Sequence, residues 1–226
     1  MSIKAITFDA GGTLIYPSKP VGEIYAGVAL RMGITLDAVG LDESFKKVFK
    51  SVAPVNVNGT PLTSSSKEWW RNLVRTVLIT SAQFAPFDQG DIFDEYFSMV
   101  YGEFLKKEHW TVCPGILDIL MLCRDKGVKT AVLSNWDERL KPILKVLELE
   151  PLFDQLIISC DVGVEKPDPV IFQFASVELC LNPGDILHIG DSRREDYEGA
   201  INAGMKAFLI DNNRGNIPQI KAMLGF

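Results

Sequence analysis

Six polar residues, spread over four segments of the chain, are of the types that perform phosphoryl transfer. In chain order they are Asp9, Ser134, Asn135, Lys166, Asp191 and Asp196. An aspartate can act as a covalent nucleophile, and carboxylates that lie close together suit a hard cation such as Mg²⁺. A lysine beside them can neutralise the charge on a transferred phosphoryl group. These residues could therefore form one active site, provided that the fold brings the four segments together.

An alternation of strands and helices is the arrangement that would bring them together. Apolar segments predict strands at residues 3–8, Val128–Leu133, Gln155–Ser159, Ile186–Ile189 and Ala207–Ile210. Helical patterns lie between them at about 116–126, 137–148, 169–180 and 195–203, and Asp168 before Pro169 is typical of a helix N-cap. This alternation predicts an α/β fold with a Rossmann-like parallel sheet. Ligands of such sheets bind beyond the carboxyl ends of the strands, where the six residues are expected to meet.

The stretch between the first two strands has a different pattern. It predicts four helices, at about 21–32, 41–52, 67–81 and 91–107, and a loop at Asn56–Ser66. We therefore expect a core domain built from residues 1–16 and 111–226, with an all-helical domain of residues 17–110 inserted into it.

Composition argues against several other classes of protein. The net charge is −6, and no basic patch that would indicate a nucleic-acid partner is visible. The apolar runs are too short to span a bilayer, and the first strand pattern leaves no room for a signal peptide. The cysteines, at positions 113, 123, 160 and 180, have no metal-finger spacing, and we expect reduced thiols. These observations predict a cytoplasmic protein, a monomer or weak homodimer, that acts on a small molecule.

Four short sequence motifs contain the residues of this predicted site. Phe8–Leu14, Leu133–Asn135, Lys166–Pro169 with Phe172, and Gly190–Asp196 resemble, in order, the four motifs of the haloacid dehalogenase superfamily of hydrolases. Each motif alone is weak evidence, but all four occur in order at the ends of predicted strands. Ser65–Trp70 and Ser134–Leu140 also resemble one subgroup of that superfamily. The resemblance implies that residues 17–110 form the helical cap that the superfamily places between its first two motifs.

The resemblance also implies a role for each residue of the site. Asp9 would be the nucleophile and a Mg²⁺ ligand, and Lys166 would neutralise charge between Asp9 and the substrate. Ser134, Asn135 and Lys166 would contact the transferred group. The remaining metal ligands would be the Gly11 carbonyl, Asp191 and Asp196, the last directly or through water. His188 is interpreted as a structural residue.

One departure from the motifs affects the function. Phosphatases of this superfamily carry a second aspartate, a general acid and base, at the position that Gly11 occupies here. The expected function is therefore a Mg²⁺-dependent phosphatase with weak or restricted activity on a small phosphorylated metabolite. A 2-haloacid dehalogenase is one alternative, although Gly190-Asp191 in the fourth motif argues against it. A non-catalytic binding or regulatory protein is the other.

Overall fold

The computed structural model describes residues 3–52, 63–211 and 216–223. The strands are β1 (Ala5–Phe8), β2 (Ile15–Pro17), β3 (Trp110–Val112), β4 (Lys129–Ser134), β5 (Gln155–Ile158), β6 (Ile186–Gly190) and β7 (Lys206–Leu209). The α-helices are α1 (Val21–Arg31), α2 (Ala38–Ser51), α3 (Thr63–Thr80), α4 (Ile92–Glu103), α5 (Ile116–Asp125), α6 (Leu140–Val146), α7 (Ser159–Val162), α8 (Pro169–Leu179), α9 (Gly199–Asn202) and α10 (Ile217–Met223). A π-helix spans Arg193–Glu198, and 3₁₀ turns lie at Ala85–Phe87, Lys107–His109, Glu150–Leu152 and Pro183–Asp185.

The chain divides into two compact units. Of the described residues, the core unit contains 3–16, 112–211 and 216–223, and the helical unit contains 17–52 and 63–111. The predicted domains, 1–16 with 111–226 and 17–110, stay a prediction. They include the further expectation that the helical part acts as a cap. Short strands β2 and β3, which lie where the chain passes between the units, pair with each other.

A parallel sheet organises the core unit. Its strand order is β5-β4-β1-β6-β7, and each of its pairs is parallel. The predicted α/β fold with a Rossmann-like parallel sheet is confirmed. Phe8 pairs with Val132 on one side and with Ile189 on the other, so β1 lies at the centre. Residues that follow β1, β4 and β6 therefore emerge side by side at one edge of the sheet.

Apolar side chains explain why this sheet forms. The four residues of β1 are fully buried, as parallel strands covered on both faces require. A buried cluster packs against the sheet from α8 and neighbouring elements; it contains Ala5, Ala131, Leu133, Ile157, Ile171, Phe172, Ala175, Leu179, Ile186, Ala200 and Met205. The predicted N-cap of α8 is confirmed: the Asp168 carboxylate accepts a hydrogen bond of 2.9 Å from the amide of Val170.

A separate apolar core stabilises the helical unit. Its buried members include Tyr25 on α1, Leu41 on α2, Leu78 on α3 and Tyr96 on α4. The Tyr96 hydroxyl donates a hydrogen bond of 3.1 Å to the backbone carbonyl of Tyr25, which satisfies that buried polar atom. Within the described part of this unit, the secondary structure is helical apart from the strand ends at Pro17 and Trp110–Thr111.

Several helix bounds differ from those that the sequence predicts. Asp37 caps α2 through the amides of Val39 and Gly40, so this helix begins at Ala38 and not at residue 41. Asp137 accepts a hydrogen bond from the Arg139 amide, and α6 begins only at Leu140. The loop predicted at Asn56–Ser66 lies outside the described residues up to position 62, and α3 includes the rest of it. Residues 195–203, predicted as one helix, are a π-helix followed by α9.

Candidate active site

The carboxylate of Asp9 is the point at which two strand ends and one loop meet. Asp9 follows β1, Ser134 is the last residue of β4, and Lys166 lies in the loop before α8. The Lys166 ammonium lies 2.7 Å from Oδ1 of Asp9, and the Ser134 hydroxyl donates to the same oxygen over 3.0 Å. The three residues that the sequence predicts as catalytic are thus in direct contact. Two donors on one oxygen also fix the rotation of the Asp9 side chain.

Asn135 holds Lys166 in place through the backbone. Its amide nitrogen donates to the Lys166 carbonyl over 2.9 Å, and its amide oxygen accepts from the Lys166 amide over 2.7 Å. A residue whose donor and acceptor are both used in this way positions the lysine. The predicted contact between Asn135 and the substrate stays a prediction, and the positioning role is a finding that the motif did not reveal.

A second carboxylate holds the lysine from the other side. Oδ1 of Asp196 lies 2.5 Å from the Lys166 ammonium, and Oδ2 accepts from the Ser192 amide over 2.8 Å. Oδ1 also lies 3.1 Å from Nε2 of His188, whose Nδ1 lies 2.8 Å from the Thr7 hydroxyl. Asp196 therefore links the lysine to the interior of the sheet.

His188 is the site residue that sequence reasoning left aside as structural. It is fully buried in β6, and its ring stands edge-on to Phe172 with centroids 5.4 Å apart. A histidine inside an apolar strand needs hydrogen-bond partners, because burying an unsatisfied polar group costs free energy. That requirement was the signal in the sequence that His188 has a polar partner. In the structure, Asp196 is a partner of its ring.

Burial and mutual charge shift the pKa values of these groups. Burial raises the pKa of Asp9 to about 7, against the opposing effect of Lys166 and with the help of Asp196 and Asp191. Burial likewise opposes charging of Lys166, but the carboxylates of Asp9 and Asp196 raise its pKa above the ordinary value. Burial lowers the pKa of His188. For Asp196, burial is outweighed by Lys166 and His188, which hold its pKa below the ordinary value.

Three carboxylates form a group that fits a divalent cation. Oxygens of Asp9, Asp191 and Asp196 lie within 4.8 Å of one another. One lysine cannot neutralise three carboxylates, and after burial, which is the largest cause, the charges of Asp196 and Asp191 also raise the pKa of Asp9. A donor set made of oxygen, without thiol or imidazole, favours Mg²⁺ over zinc. The roles predicted for Asp9, Asp191, Asp196 and the Gly11 carbonyl as metal ligands stay predictions that this geometry suits.

Two glycines give these carboxylates the space that they occupy. A Cβ at Gly190 would lie 2.1 Å from Cγ of Asp196, and a Cβ at Gly12 would lie 2.3 Å from Oδ2 of Asp191. Gly12 also has a φ of +81°, which side chains rarely adopt. Glycine is needed at position 190 because the Asp196 side chain passes directly over it.

This fold, with Asp9, Ser134 and Lys166 beside the acidic residues Asp191 and Asp196, is typical of one class of hydrolases. Residues 3–204 match the family model described as haloacid dehalogenase-like hydrolase, and the chain belongs to that family. It is similar to haloacid dehalogenase-like hydrolase domain-containing protein 3 of Mus musculus, with 32% identity over 93% of this chain and 82% of the relative. The protein of that name from Bos taurus is 33% identical over 98% of this chain and 87% of the relative.

Solved structures support the fold. A HAD phosphatase from Thermococcus onnurineus superimposes with a TM-score of 0.62 at 22% identity, covering 98% of each chain. Bacillus subtilis YfnB, described as a HAD-hydrolase bound to magnesium, superimposes with a TM-score of 0.73 at 14% identity, covering 100% of each chain. At these identities the likeness concerns the fold alone. Among the described residues, no helix is both long enough and apolar enough to cross a bilayer.

Proposed function

We propose that this hydrolase is a Mg²⁺-dependent phosphatase that acts on a small phosphorylated metabolite through an aspartyl-phosphate on Asp9. The observation that carries the proposal is the contact of Lys166 and Ser134 with one oxygen of Asp9, at 2.7 Å and 3.0 Å. A buried ammonium between two carboxylates provides positive charge where the oxygens of a phosphoryl group would gather negative charge.

Each step assigns a task to residues of this chain. The Asp9 carboxylate attacks phosphorus, a bond forms between the two, and the bond from phosphorus to the leaving group breaks. Lys166 neutralises the phosphoryl oxygens, and Ser134 donates a hydrogen bond to the group in transfer. Water then cleaves the aspartyl-phosphate and restores Asp9, releasing inorganic phosphate. A Mg²⁺ ion held by Asp9, Asp191 and Asp196, with the Gly11 carbonyl, would neutralise substrate oxygens during both steps.

Positioning residues keep the site assembled between these steps. Asn135 fixes the backbone of Lys166, and Asp196 fixes its ammonium. His188 and Ser192 hold Asp196 in turn. This continuous network supports catalysis because a nucleophile and its charge partner must stay within a few tenths of an ångström of their working geometry.

Gly11 restricts the substrates that the site can hydrolyse. With glycine in place of the second aspartate, no carboxylate at this position can protonate a departing alkoxide. General acid catalysis contributes about 10²–10⁴-fold to such steps. Alkyl phosphates would lose most of that factor, whereas substrates whose leaving group is stable as an anion would lose little. We therefore propose weak or selective phosphatase activity.

The descriptions of two solved structures with a similar fold support this proposal. The Thermococcus onnurineus neighbour is a HAD phosphatase, and YfnB is bound to magnesium in its structure. We also propose that the helical unit acts as the cap that selects the substrate, as the motif order implied. A cytoplasmic protein that is a monomer or weak homodimer fits the composition.

The test is a phosphatase assay on a panel of acyl, aryl and alkyl phosphates, with Mg²⁺ and with chelator. We expect phosphate release that requires Mg²⁺ and that Asp9→Asn abolishes. Acid quenching during turnover should trap one phosphoryl group on Asp9. The control is Asp118→Asn, an exposed carboxylate on α5 whose loss should leave the rate unchanged.

Other outcomes would contradict the proposal and identify an alternative. Chloride release from chloroacetate, without phosphate release from any ester, would indicate a 2-haloacid dehalogenase. Mg²⁺ and ligand binding without turnover of any substrate would indicate a binding or regulatory protein.

A further inference from the structure

The space in front of Gly11 is occupied by an aromatic ring. A Cβ built at Gly11 would lie 3.0 Å from Cζ3, 3.7 Å from Cη2 and 3.9 Å from Cε3 of Trp136. The φ of Gly11 is not in the left-handed region, so conformation alone does not require glycine there. The six-membered ring of the indole therefore crowds the position that a Cβ at residue 11 would take.

Trp136 belongs to the same short segment as two residues of the site. Ser134 contacts the nucleophile, Asn135 holds Lys166, and Trp136 faces Gly11. Gly11 is itself two residues beyond Asp9, and β1 and β4 are neighbours in the sheet. The indole consequently lies at the same edge of the sheet as the reacting carboxylate, on the loop that begins directly after Ser134.

The indole is held in this position by its backbone and by the loop that follows. The Trp136 amide donates to the Ser159 hydroxyl over 3.1 Å, and its carbonyl accepts from the Cys160 amide over 3.3 Å. Next along the chain, the buried guanidinium of Arg139 binds Asp137 through two hydrogen bonds of 2.9 Å and 2.6 Å. The side chain of Trp136 is half-buried.

We propose that Trp136 determines the leaving-group specificity of the Asp9 site, and that the preferred substrates are aryl phosphates, the phosphate monoesters of phenols. This inference rests on the proposed phosphatase function and names its substrate class. An indole cannot protonate a leaving group, but it can contact a planar ring. A phenolate departs without a proton more readily than an alkoxide does, so the same residue excludes poor leaving groups and favours aromatic ones. Ring contacts of this kind are worth about tenfold in affinity or less.

A binding experiment tests this specificity without turnover. Phenylphosphonate and methylphosphonate carry the same charged group and are not hydrolysed, and calorimetry in the presence of Mg²⁺ measures both affinities. We expect the parent protein to bind phenylphosphonate up to about tenfold more tightly. Trp136→Leu should lose this preference and keep its affinity for methylphosphonate. Phe174→Leu, which removes a partly exposed ring from α8, is the matched control and should keep the preference.

The outcomes separate the two proposals. A parent protein that binds both phosphonates equally, or a Trp136→Leu variant that retains the preference, would overturn the role of Trp136 while leaving the phosphatase intact. Failure to bind either phosphonate with Mg²⁺ present would overturn the phosphatase proposal, and the inference about Trp136 with it.

A second experiment tests the steric pairing of Gly11 and Trp136 by its effect on thermal unfolding. Gly11→Asp should lower the unfolding temperature of the parent, because the indole must shift to admit the new Cβ. In a Trp136→Ala background the same substitution should lower it by roughly 2–4 °C less. Equal effects in both backgrounds would contradict the pairing, whatever the activity of the variants.

Kinetics of the double variant complete the test. Gly11→Asp with Trp136→Ala would have both a carboxylate and the room to hold it. Its kcat/KM should depend less steeply on the leaving-group pKa, across substituted phenyl phosphates and alkyl phosphates, than that of Trp136→Ala alone. An unchanged slope would show that the space taken by the indole is not the position of a proton donor.

Discussion

Lys166 shows how a single residue depends on its neighbours. Its side chain is 1% exposed, and its ammonium contacts Asp9 and Asp196. Burying a charge is costly unless it is paired and hydrogen-bonded. The positive charge of Lys166 is therefore maintained by two carboxylates, and their approach to each other is tolerated because the lysine lies between them.

Glu165, the preceding residue, has the opposite environment. Burial, followed by repulsion from Glu195, raises the pKa of Glu165 from 4.5 to about 7, and its Oε2 has no hydrogen-bond partner among the described residues. The unfolded chain ionises this group near pH 4.5, whereas the folded chain resists ionisation until about pH 7. Its contribution to stability is present below the unfolded pKa and is lost as pH rises through the folded pKa.

We predict that Glu165→Gln removes this loss. Relative to the parent, the variant should gain about 1 kcal/mol in the free energy of unfolding between pH 5 and pH 8, after allowing for solvent screening at a partly exposed site. Urea titrations at both pH values measure the difference, and comparison with the parent cancels the titration of Asp9. Glu178→Gln, an exposed change on α8, is the control. A difference that does not vary with pH would refute the prediction.

The cysteines differ in exposure, which predicts their reactivity. Burial raises the pKa of the Cys123 thiol to about 11 and that of Cys160 to about 12, whereas Cys180 is exposed. Since the thiolate is the reactive form, buried thiols at neutral pH react slowly. We predict one fast-reacting thiol in the native protein and four after unfolding, measured with a chromogenic disulfide reagent. The fast phase should disappear in Cys180→Ser, and its persistence would contradict the assignment.

At the scale of secondary-structure elements, the positions of the strand ends determine the distances between the side chains of the site. Ser134 is the last residue of a strand whose preceding residues, Ala131, Val132 and Leu133, are fully buried. Packing of those side chains sets the height of β4 in the sheet, and therefore the distance from Ser134 to Asp9.

Removing one of these side chains should destabilise the core unit. We predict that Leu133→Ala lowers the free energy of unfolding by about 2–5 kcal/mol, because it leaves a cavity beside the sheet. Val177→Ala on α8, where the valine is 71% exposed, should change it by less than about 0.5 kcal/mol. Urea unfolding followed by circular dichroism measures both. Equal effects would show that β4 does not depend on packing at Leu133.

For the whole molecule, the metal ion is expected to act on stability as well as on chemistry. Asp9, Asp191 and Asp196 come from two strand ends and a π-helix, so a cation bound to all three would stabilise only the folded state. At a concentration 100 times the dissociation constant, such a ligand adds about 2.7 kcal/mol.

We predict that Mg²⁺ raises the unfolding temperature by several degrees and that chelator reverses the effect. Asp191→Asn should abolish the response without lowering the unfolding temperature of the metal-free protein, because Asp191 is exposed and crowds two other carboxylates. Scanning calorimetry of both proteins, with and without Mg²⁺, provides the measurement. An Asp191→Asn variant that responds like the parent would exclude this residue as a ligand.

Much of the fold was determined by the sequence alone. Hydrophobic runs located the five strands of the parallel sheet to within two residues at every bound, since burial on both faces requires continuous apolar segments. The rule that ligands bind at the carboxyl ends then predicted that Asp9, Ser134 and Lys166 lie close together. The contacts at 2.7 Å and 3.0 Å agree with that prediction. Strands β2 and β3, of three residues each, are too short to give a pattern, and sequence analysis missed them.

Only the tertiary structure decided which residues support that site. It placed Asn135 on the Lys166 backbone, His188 behind Asp196, and the Trp136 indole over Gly11. Ser134 and Asp9 are 125 positions apart in the chain, and Lys166 and Asp9 are 157 apart. A local pattern shows that a residue ends a strand, but contacts between distant segments depend on backbone positions to a fraction of an ångström. Those positions are set by the packing of the whole core, and no short stretch of sequence contains that information.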